Sequence, residues 1–491
     1  MRIKARHQKE LRAQLENAET YSQWYTAAEQ LDEAEGLLDW RTEAGTDLLH
    51  ESLLREHINN MHRQRMRGDT RALARVLQES LYRHLGELSN PELYSVARTG
   101  TKYLVTEFLD EVEQSMRFVC DHDLPGVSLE EKLNLFRNAE QVYGRPALML
   151  SGGAAFGIYH LGVTRALWQA DLLPRVIAGS SMGAIVAGGI CSRNEAELKE
   201  FFTNPASIHL DAFEWLGLGE ALARRHVMDP EQLHEHIRAN IGSLSFREAF
   251  QHSGRMLNIS VSPTRTRQKP RLLNELASPE VLIDYAVLAS CAVPAIYPSV
   301  TLQARDREAG AGAQVPYMPT ERWLDGSVHG DLPLMRMARL HNVNKTIVSQ
   351  ANPHVVPFIS HPHQRGVRAS VKQAAVSFMR GHLATTLKLT PRDGVGKYMR
   401  PYLEQAHAMA SQTYLGDINI HFPVRPALYP RVLSNPDRAD LAMFIRLGEQ
   451  ATWPRLAMIR DQTRINRVFN ESIAKLKKLA GGERVRGKAR A

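Results

Sequence analysis

The sequence has few cysteines and no apolar stretch that reads as a membrane-spanning helix. Its three cysteines, Cys120, Cys191 and Cys291, are too few and too widely spaced for a disulfide framework or a cysteine-based zinc site, which favours a reducing compartment. The charged first residues contain no apolar segment of a secretory signal. We therefore expect a cytoplasmic protein without a signal peptide.

Two uncharged stretches need a separate explanation. Residues 176–192 contain several glycines, and residues 285–304 contain Pro294 and Pro298, which would interrupt a helix. A spanning helix needs about 20 predominantly apolar residues. We interpret both stretches as buried core of a globular fold without a transmembrane helix, so any membrane contact should be peripheral.

Nucleotide-binding signatures are missing as well. The turn Gly152-Gly153-Ala154 has alanine where a dinucleotide-binding fingerprint needs its third glycine, and no Gly-Lys-Ser or Gly-Lys-Thr of a phosphate-binding loop occurs. The net charge of +8 favours anionic partners such as phospholipid surfaces. Because no nucleic-acid recognition motif accompanies this charge, we expect no nucleic-acid partner.

Apolar periodicity divides the chain into three predicted regions. Residues 1–135 are predicted to form a helical accessory domain. Within this range, Ser22 is predicted to be a helix N-cap, and residues 121–126 are predicted to be the linker toward the next domain. Residues 140–350 are predicted to form an α/β domain, and residues 351–491 a helical C-terminal region with a basic tail. Strands are predicted at 146–150, 175–178, 257–261 and 346–348, and helices at 157–170, 182–190, 380–389 and 440–479. The alternation of strands and helices predicts a mainly parallel sheet.

Two glycine-rich turns carry the chemistry. Gly179-Ser180-Ser181-Met182-Gly183 has the form of a nucleophile elbow, in which a strained strand-to-helix turn exposes a serine hydroxyl. Residues 151–157, which end at Gly157, place a row of backbone N–H groups at the start of a helix, where an oxyanion could bind. A serine nucleophile beside an oxyanion site indicates acyl transfer, and we expect ester hydrolysis without a metal or cofactor.

The sequence allows two hypotheses for the residue that activates the serine, a histidine in a triad or a carboxylate in a dyad. A Ser-His-Asp triad would need one of the downstream histidines, among them His329, His354, His363 and His421, none of which stands in a distinctive context. A dyad would need one carboxylate, and Asp325 in Asp325-Gly326-Ser327 is the best candidate because it follows a short apolar run. The same dipeptide is also common in simple turns.

The order of four motifs resembles the patatin-like phospholipases and lipid acyl hydrolases. The motifs are 152–157, 179–183, 289–298 and 325–327. This resemblance implies a three-layer α/β/α core and a Ser-Asp dyad without histidine. Ser181 would be the nucleophile, Asp325 the general base, and the N–H groups of Gly152, Gly153 and Ala154 the oxyanion hole. Gly157, Gly179, Gly183 and Gly326 would support the motifs.

The flanking regions narrow the resemblance to one branch of the family. Segments 21–32, 90–102, 156–162 and 414–418 are similar to storage-lipid triacylglycerol lipases. That resemblance implies hydrolysis of acylglycerol esters at a membrane or lipid-droplet surface, with phospholipase A or lysophospholipase activity as the alternative and a non-catalytic lipid-surface protein as a third reading. Ala154 and Phe156 depart from the family pattern of a third glycine and a basic residue. A possible surface helix at 371–380 and nine basic residues from Arg464 onward, against Glu471 and Glu483, could assist lipid binding.

Overall fold

The computed structural model describes residues 2–43, 45–83, 88–224, 226–265, 268–306, 308, 312–326, 332–353, 355–356 and 415–488. The chain forms two compact units. One, the helical unit, contains residues 1–146, 340–345 and 453–491; the other, the sheet unit, contains residues 147–339 and 346–452. The last part of the chain therefore belongs to the same unit as the first. The predicted helix at 380–389 and the predicted surface helix at 371–380 lie outside the described residues.

Amphipathic helices build the helical unit. Its main helices are α1 (Arg2–Asn17), α2 (Tyr21–Ala34), α3 (Leu37–Thr42), α4 (Glu51–Met66), α5 (Thr70–Arg83), α6 (Tyr103–Asp121), α7 (Leu129–Tyr143) and, at the end of the chain, α17 (Leu456–Lys488). The apolar stripe predicted from the sequence on α6 is buried, including Leu104, Phe108, Leu109, Val112 and Met116. Burying one apolar face per helix stabilises such a bundle more than helix propensity does.

Two local predictions in this unit were wrong. The N-cap of α2 is Thr20, whose side chain accepts a hydrogen bond from the Gln23 N–H, whereas Ser22 lies inside the helix. Residues 121–126 do not lead into the sheet unit. They connect α6 to α7, a further amphipathic helix that begins with a Ser128–Glu131 capping box and belongs to the helical unit.

The sheet unit alternates strands and helices. Its strands are β1 (Arg145–Leu150), β2 (Val176–Gly179), β3 (Met256–Pro263), β4 (Arg271–Asn274), β5 (Gln303–Arg305), β6 (Gln314–Pro316), β7 (Trp323–Asp325), β8 (Val343–Gln350) and β9 (Ile418–His421), although the first two residues of β1 and the first three of β8 belong to the helical unit. Its α-helices are α8 (Tyr159–Gln169), α9 (Met182–Cys191), α10 (Glu195–Thr203), α11 (Leu218–Arg224), α12 (Pro230–Ile241), α13 (Phe246–Ser253), α14 (Ile283–Cys291), α15 (Leu334–His341) and α16 (Arg438–Thr452). Three of the four predicted strands are confirmed within two residues at each end, and the fourth, predicted at 346–348, is longer and begins three residues earlier, at Val343.

The central sheet has the order β4-β3-β2-β1-β8-β9, with β7 also paired to β3. The pairs β1–β2, β2–β3 and β8–β9 are parallel, whereas β4 and β7 run antiparallel to β3. The predicted α/β class with a mainly parallel sheet is thus confirmed. β2 is buried because parallel strands are covered on both faces. The following helix α9 is buried as well, so residues 176–192 belong to the core, as predicted. Among the described helices, none is both long and apolar enough to cross a bilayer.

Candidate active site

Ser181 occupies the sharp turn between β2, which ends at Gly179, and α9, which begins at Met182. Its backbone has φ 51° and ψ −125°, a region that side-chain-bearing residues rarely adopt. Such strain marks a nucleophile elbow, because the turn holds the serine side chain away from the backbone that precedes and follows it. The geometry fits the predicted role of Ser181.

The glycines around this serine permit close backbone contacts. A Cβ on Gly179 would collide with the Gly183 carbonyl, and a Cβ on Gly183 would collide with the Leu150 and Ser151 carbonyls. A Cβ on Gly157 would lie 2.5 Å from Cγ of Met182, the residue after the serine. These glycines therefore bring the elbow against the end of β1, where the second glycine-rich turn begins.

That second turn follows β1 and is held from several sides. The Ser151 hydroxyl donates to the Gly152 carbonyl at 2.7 Å and accepts from the Ala351 N–H at 2.9 Å. A one-turn 3₁₀ helix starts at Ala154, whose φ is 46°. Within the described part of the chain, the N–H groups of Gly153 and Ala154 have no hydrogen-bond acceptor. Two donors beside the elbow are what an oxyanion site requires.

A buried histidine that the sequence did not single out supports this turn. One ring nitrogen of His160 on α8 lies 3.0 Å from the Ser151 carbonyl, and the other lies 2.7 Å from the Ser349 hydroxyl on β8. Complete burial lowers the pKa of His160 to about 4, so its ring is neutral at pH 7. The imidazole thus links the end of β1 to β8. Its spacing in the sequence, nine residues after Ser151, gave no signal of this role.

Strand β3 brings Asp325 to the same end of the sheet as Ser181. Ile259 of β3 pairs with Gly179 of β2, and two residues further on Val261 pairs with Asp325 of β7. Because β4 pairs with both Ile259 and Val261 on one edge, β7 lies on the other edge, beyond the end of β2. Two residues along a strand span about 7 Å. The strand register therefore places Asp325 next to the turn that carries Ser181.

Asp325 is fully buried, as a general base withdrawn from water should be. Its backbone N–H donates to the Ala292 carbonyl at 3.1 Å. The following residue, Gly326, lies so close to Ser260 of β3 that a Cβ would collide with the Ser260 carbonyl. The dipeptide Asp325-Gly326 is therefore more than a surface turn.

A short segment at the end of α14 contacts both predicted catalytic residues. The Ser290 hydroxyl accepts from the Ser181 N–H at 3.0 Å and donates to the Ser260 carbonyl at 2.8 Å. Cys291 follows, and it is buried. Burial raises the pKa of the Cys291 thiol, and the nearby Asp325 carboxylate raises it further. Residues 289–298 had entered the prediction only through family resemblance, and no spacing rule would have identified Ser290.

The other predicted site residues have different outcomes. His329, His354, His363 and Ser327 lie outside the described residues, and His421 lies at the end of β9. Of the histidines that the structure describes, none forms a hydrogen bond with Ser181. All three cysteines are buried and free, and the described residues contain no cluster of three or more potential metal ligands.

Phe156, the residue that departs from the expected basic position, is fully buried in an aromatic cluster. Its ring stacks on Phe422 with centroids 4.7 Å apart and meets the edge of Tyr429 at 5.5 Å. Phe444 completes the cluster at 6.1 Å. A charged side chain at this position would lack an ion-pair partner among these rings. Phenylalanine therefore replaces the expected basic residue because the side chain is part of the apolar core.

Comparison with known proteins agrees with this architecture. The patatin-like phospholipase family matches residues 148–338, and a domain of unknown function, DUF3336, matches residues 1–141. A triacylglycerol lipase of Schizosaccharomyces pombe is 32% identical, with 93% of this chain and 95% of that protein covered. This chain belongs to the patatin-like phospholipase family.

Other members of the family are longer than this chain. A triacylglycerol lipase of Arabidopsis thaliana is 34% identical over 93% of this chain, which spans 57% of that protein. Triacylglycerol lipase 4 of Saccharomyces cerevisiae is 30% identical over 95% of this chain, which spans 53% of it. The matched region therefore includes both the helical and the α/β parts of this family member.

Proposed function

We propose that this protein is a serine lipid acyl hydrolase that cleaves the carboxylic esters of acylglycerols and releases fatty acids, with triacylglycerol as its main substrate. The observation that carries the proposal is the placement of strained Ser181 and buried Asp325 at one end of the sheet by their shared neighbour β3. Relatives that match almost the whole chain are named triacylglycerol lipases.

The mechanism that fits these residues uses a covalent intermediate. Asp325 accepts the hydroxyl proton as the Ser181 Oγ attacks the acyl carbonyl, and the carbonyl oxygen becomes an oxyanion. The alcohol then leaves with a proton from Asp325, and the acyl group stays bonded to the Ser181 Oγ as the acyl-enzyme. Water then loses a proton to Asp325 and attacks the acyl group, which restores the Ser181 hydroxyl and releases the fatty acid.

The N–H groups of Gly152, Gly153 and Ala154 would stabilise the oxyanion in both steps. Their support is the fixed turn after β1, held by Ser151 and His160. A preorganised donor of this kind typically contributes about 3 kcal/mol to transition-state stabilisation. Ala154 supplies an N–H as glycine would, although its φ of 46° is one that glycine adopts with less strain.

Peripheral binding to a membrane or lipid-droplet surface belongs to this proposal. Acylglycerols with long chains collect at such surfaces, so the substrate must be reached there. The excess of basic residues from Arg464 onward is nine against two acidic ones, and although Arg464 and Lys475 pair with carboxylates of α6, the remainder supports attraction to anionic lipid.

Phospholipase A or lysophospholipase activity is the second candidate, and the family's description as patatin-like phospholipases favours it. Against it stands Phe156, which occupies the position of the basic residue in the family pattern and packs among aromatic rings. The site therefore lacks the cation that this position would provide for a phosphate group.

A lipid panel tests these candidates together. Purified protein is incubated with triacylglycerol, phosphatidylcholine and lysophosphatidylcholine, and released fatty acid is measured by mass spectrometry. We expect release mainly from triacylglycerol, and a loss of at least about 10³-fold for Asp325→Asn because the base is removed. Asp171→Asn is the matched control, since Asp171 is exposed and its φ of 56° suits asparagine.

Each other outcome has a definite meaning. Full activity of Asp325→Asn would contradict the dyad, and loss of activity on changing His329, His354, His363 or His421 to alanine would favour a triad. Faster release from phosphatidylcholine would favour the second candidate. Binding to lipid without release from any substrate would identify a non-catalytic lipid-surface protein.

A further inference from the structure

The helical unit contains a cavity of about 690 Å³ that the proposed chemistry does not use. It lies between α5, α6, α7 and α17, all of which belong to this one unit. Its wall is mostly apolar and includes the buried side chains of Leu77, Leu109, Met116, Phe136 and Phe469. An apolar cavity of this volume is within the range of small-molecule binding sites, roughly 300–1,000 Å³.

Two apolar side chains at the cavity are also exposed to solvent. Leu135 retains 51% of its side-chain exposure and Val142 retains 60%. Both lie on α7, seven residues apart, and so on the same face of the helix. Exposed apolar residues that continue an apolar wall indicate an opening through which an apolar ligand could enter.

The lining of the cavity runs along two helices. Its lining extends along α5 from Arg71 to Leu81, and along α7 from Lys132 to Tyr143. At 1.5 Å per residue, these stretches span about 15 Å and about 17 Å. The ligand that fits such a wall is a chain rather than a compact ring system.

The volume limits how many chains can enter. A water molecule occupies about 30 Å³ in the liquid, so the cavity has room for roughly 23 non-hydrogen atoms of similar size, close to the roughly 20 of an 18-carbon fatty acid. The cavity therefore fits one acyl chain.

Positive charge at the cavity favours an acidic head group. Arg71 and Arg75, one turn apart on α5, line the cavity, and neither has an ion pair or hydrogen bond within the described part of the chain. The other lining cations have partners: Lys132 donates to the Cys120 and His122 carbonyls, and Lys345 donates to the Ser89 hydroxyl. The arginine pair is thus available to a carboxylate.

The lining carboxyl group is hydrogen-bonded to another lining residue. Asp461 accepts a hydrogen bond from the Tyr94 hydroxyl at 3.0 Å. Its neighbour Gln462 donates to the Ser89 carbonyl. The Asp461 carboxyl group therefore has a hydrogen-bond donor within the protein. The two arginines, by contrast, are exposed on α5.

We infer that the helical unit binds one long-chain free fatty acid in this cavity, with the acyl chain along the apolar wall and the carboxylate at Arg71 and Arg75. Such a ligand is also the product of the proposed hydrolysis. The site would then make this unit responsive to released fatty acid. Binding itself does not require Ser181 or Asp325, so it can be tested without turnover.

The experiment measures binding to the full-length Ser181→Ala protein by isothermal titration calorimetry. The ligands are oleate, below its micelle-forming concentration, and oleyl alcohol, which has the same chain and a neutral head group. We expect saturable binding of about one oleate per chain and at least tenfold weaker binding of oleyl alcohol. Arg71→Glu with Arg75→Glu should weaken oleate at least tenfold and leave oleyl alcohol nearly unchanged.

The matched control is Arg63→Glu with Arg67→Glu. These arginines are also exposed and four residues apart, on and directly after α4 of the same unit, but they do not line the cavity. This pair changes the net charge equally and should leave oleate binding within twofold. A second variant, Ala139→Trp, places a large ring in the cavity and should abolish binding of both ligands.

A direct readout in the unsubstituted protein covers the case in which Ala139→Trp does not fold. A photoreactive long-chain fatty acid should label peptides that contain Leu135 or Val142, as located by mass spectrometry. The inference is overturned by labelling confined to other regions, by equal affinity for oleate and oleyl alcohol, or by equal losses in the two charge-reversal pairs. These results would leave the proposed ester hydrolysis intact, just as an inactive enzyme that still binds oleate would leave the fatty-acid site intact.

Discussion

The two glycine-rich turns of the sheet unit follow neighbouring parallel strands but have different constructions. The turn at Ser181 presents a side chain, and its backbone is strained and fastened by Ser290. The turn at residues 152–154 presents backbone N–H groups, and side chains of Ser151 and His160 fasten it. A side chain proposed as a nucleophile can be recognised in a sequence, whereas a backbone turn proposed to bind the oxyanion depends on residues elsewhere that hold it in place.

The largest effect should come from the side chain itself. Ser181→Ala removes the proposed nucleophile and should reduce ester hydrolysis at least about 10⁴-fold. Ser180→Ala is the matched control, because the buried Ser180 hydroxyl has no hydrogen-bond partner among the described residues, and it should stay within about threefold of the parent. A fluorophosphonate probe should label Ser181 alone; an adduct on another serine would show that the nucleophile is misassigned.

A smaller effect is expected when the backbone turn is displaced. Gly153→Ala places a Cβ 2.9 Å from the Ala351 carbonyl, so the turn must shift. Because an oxyanion donor moves with it, we expect kcat to fall about 10²–10³-fold with little change in KM.

The control for this substitution is Gly189→Ala on α9. There the nearest atom would be 3.5 Å away, in the flexible side chain of Arg193. Alanine should keep the activity and raise the free energy of unfolding by up to about 1 kcal/mol, since it favours the helix. Equal kcat values for Gly153→Ala and Gly189→Ala would argue that the turn at 152–154 has no part in catalysis.

Loss of the hydrogen bond between Ser290 and the elbow should lower the rate of hydrolysis by a smaller factor. Ser290→Ala leaves the Ser181 N–H without its acceptor, a loss of about 1–3 kcal/mol that corresponds to roughly a 5–150-fold lower rate if it acts in the transition state. Ser290→Thr keeps a hydroxyl and should recover part of the rate. Failure of threonine to recover any activity would indicate that the volume at this position matters more than the hydrogen bond.

The least effect on activity and the clearest effect on pH dependence should come from His160. Its pKa of about 4 lies below the usual 6.5, so unfolding takes up a proton between these values and the folded state loses stability as the pH falls from 6.5 toward 4. The full contribution is on the order of 3 kcal/mol above pH 6.5. His160→Gln, which cannot titrate, should flatten this part of the pH dependence of the free energy of unfolding.

His236→Gln provides the comparison for that measurement. Burial also lowers the pKa of His236 to about 4, but its ring lies on α12 and does not hold the turn after β1. Both variants should flatten the pH dependence, and only His160→Gln should also lower kcat, by several-fold. A His160→Gln enzyme with unchanged pH dependence would contradict the neutral buried imidazole.

Most strands, helices and turns could be predicted from the local sequence. The runs at 146–150 and 175–178 are apolar and short, and each is followed by glycine and a helix, so both strands and both turns were found close to their observed bounds. The N-cap of α2 was missed because Thr20 and Ser22 are equally good capping residues by type, and the backbone conformation decides between them. The role of residues 121–126 was missed because α7 has the same amphipathic texture as the helices before it.

The sequence by itself determined the residue types that the chemistry needs, namely a serine between glycines, a row of backbone donors and a carboxylate after a short strand. Only the tertiary structure decided that β3 places Asp325 beside the elbow, that Ser290 and His160 hold the two turns, and that Phe156 belongs to an aromatic core. The physical reason is separation along the chain. Turn conformation follows from a few adjacent residues, whereas strand register and side-chain contacts also join residues far apart in the chain, such as Ser181 and Ser290 at a separation of 109 positions, and depend on packing of the whole unit.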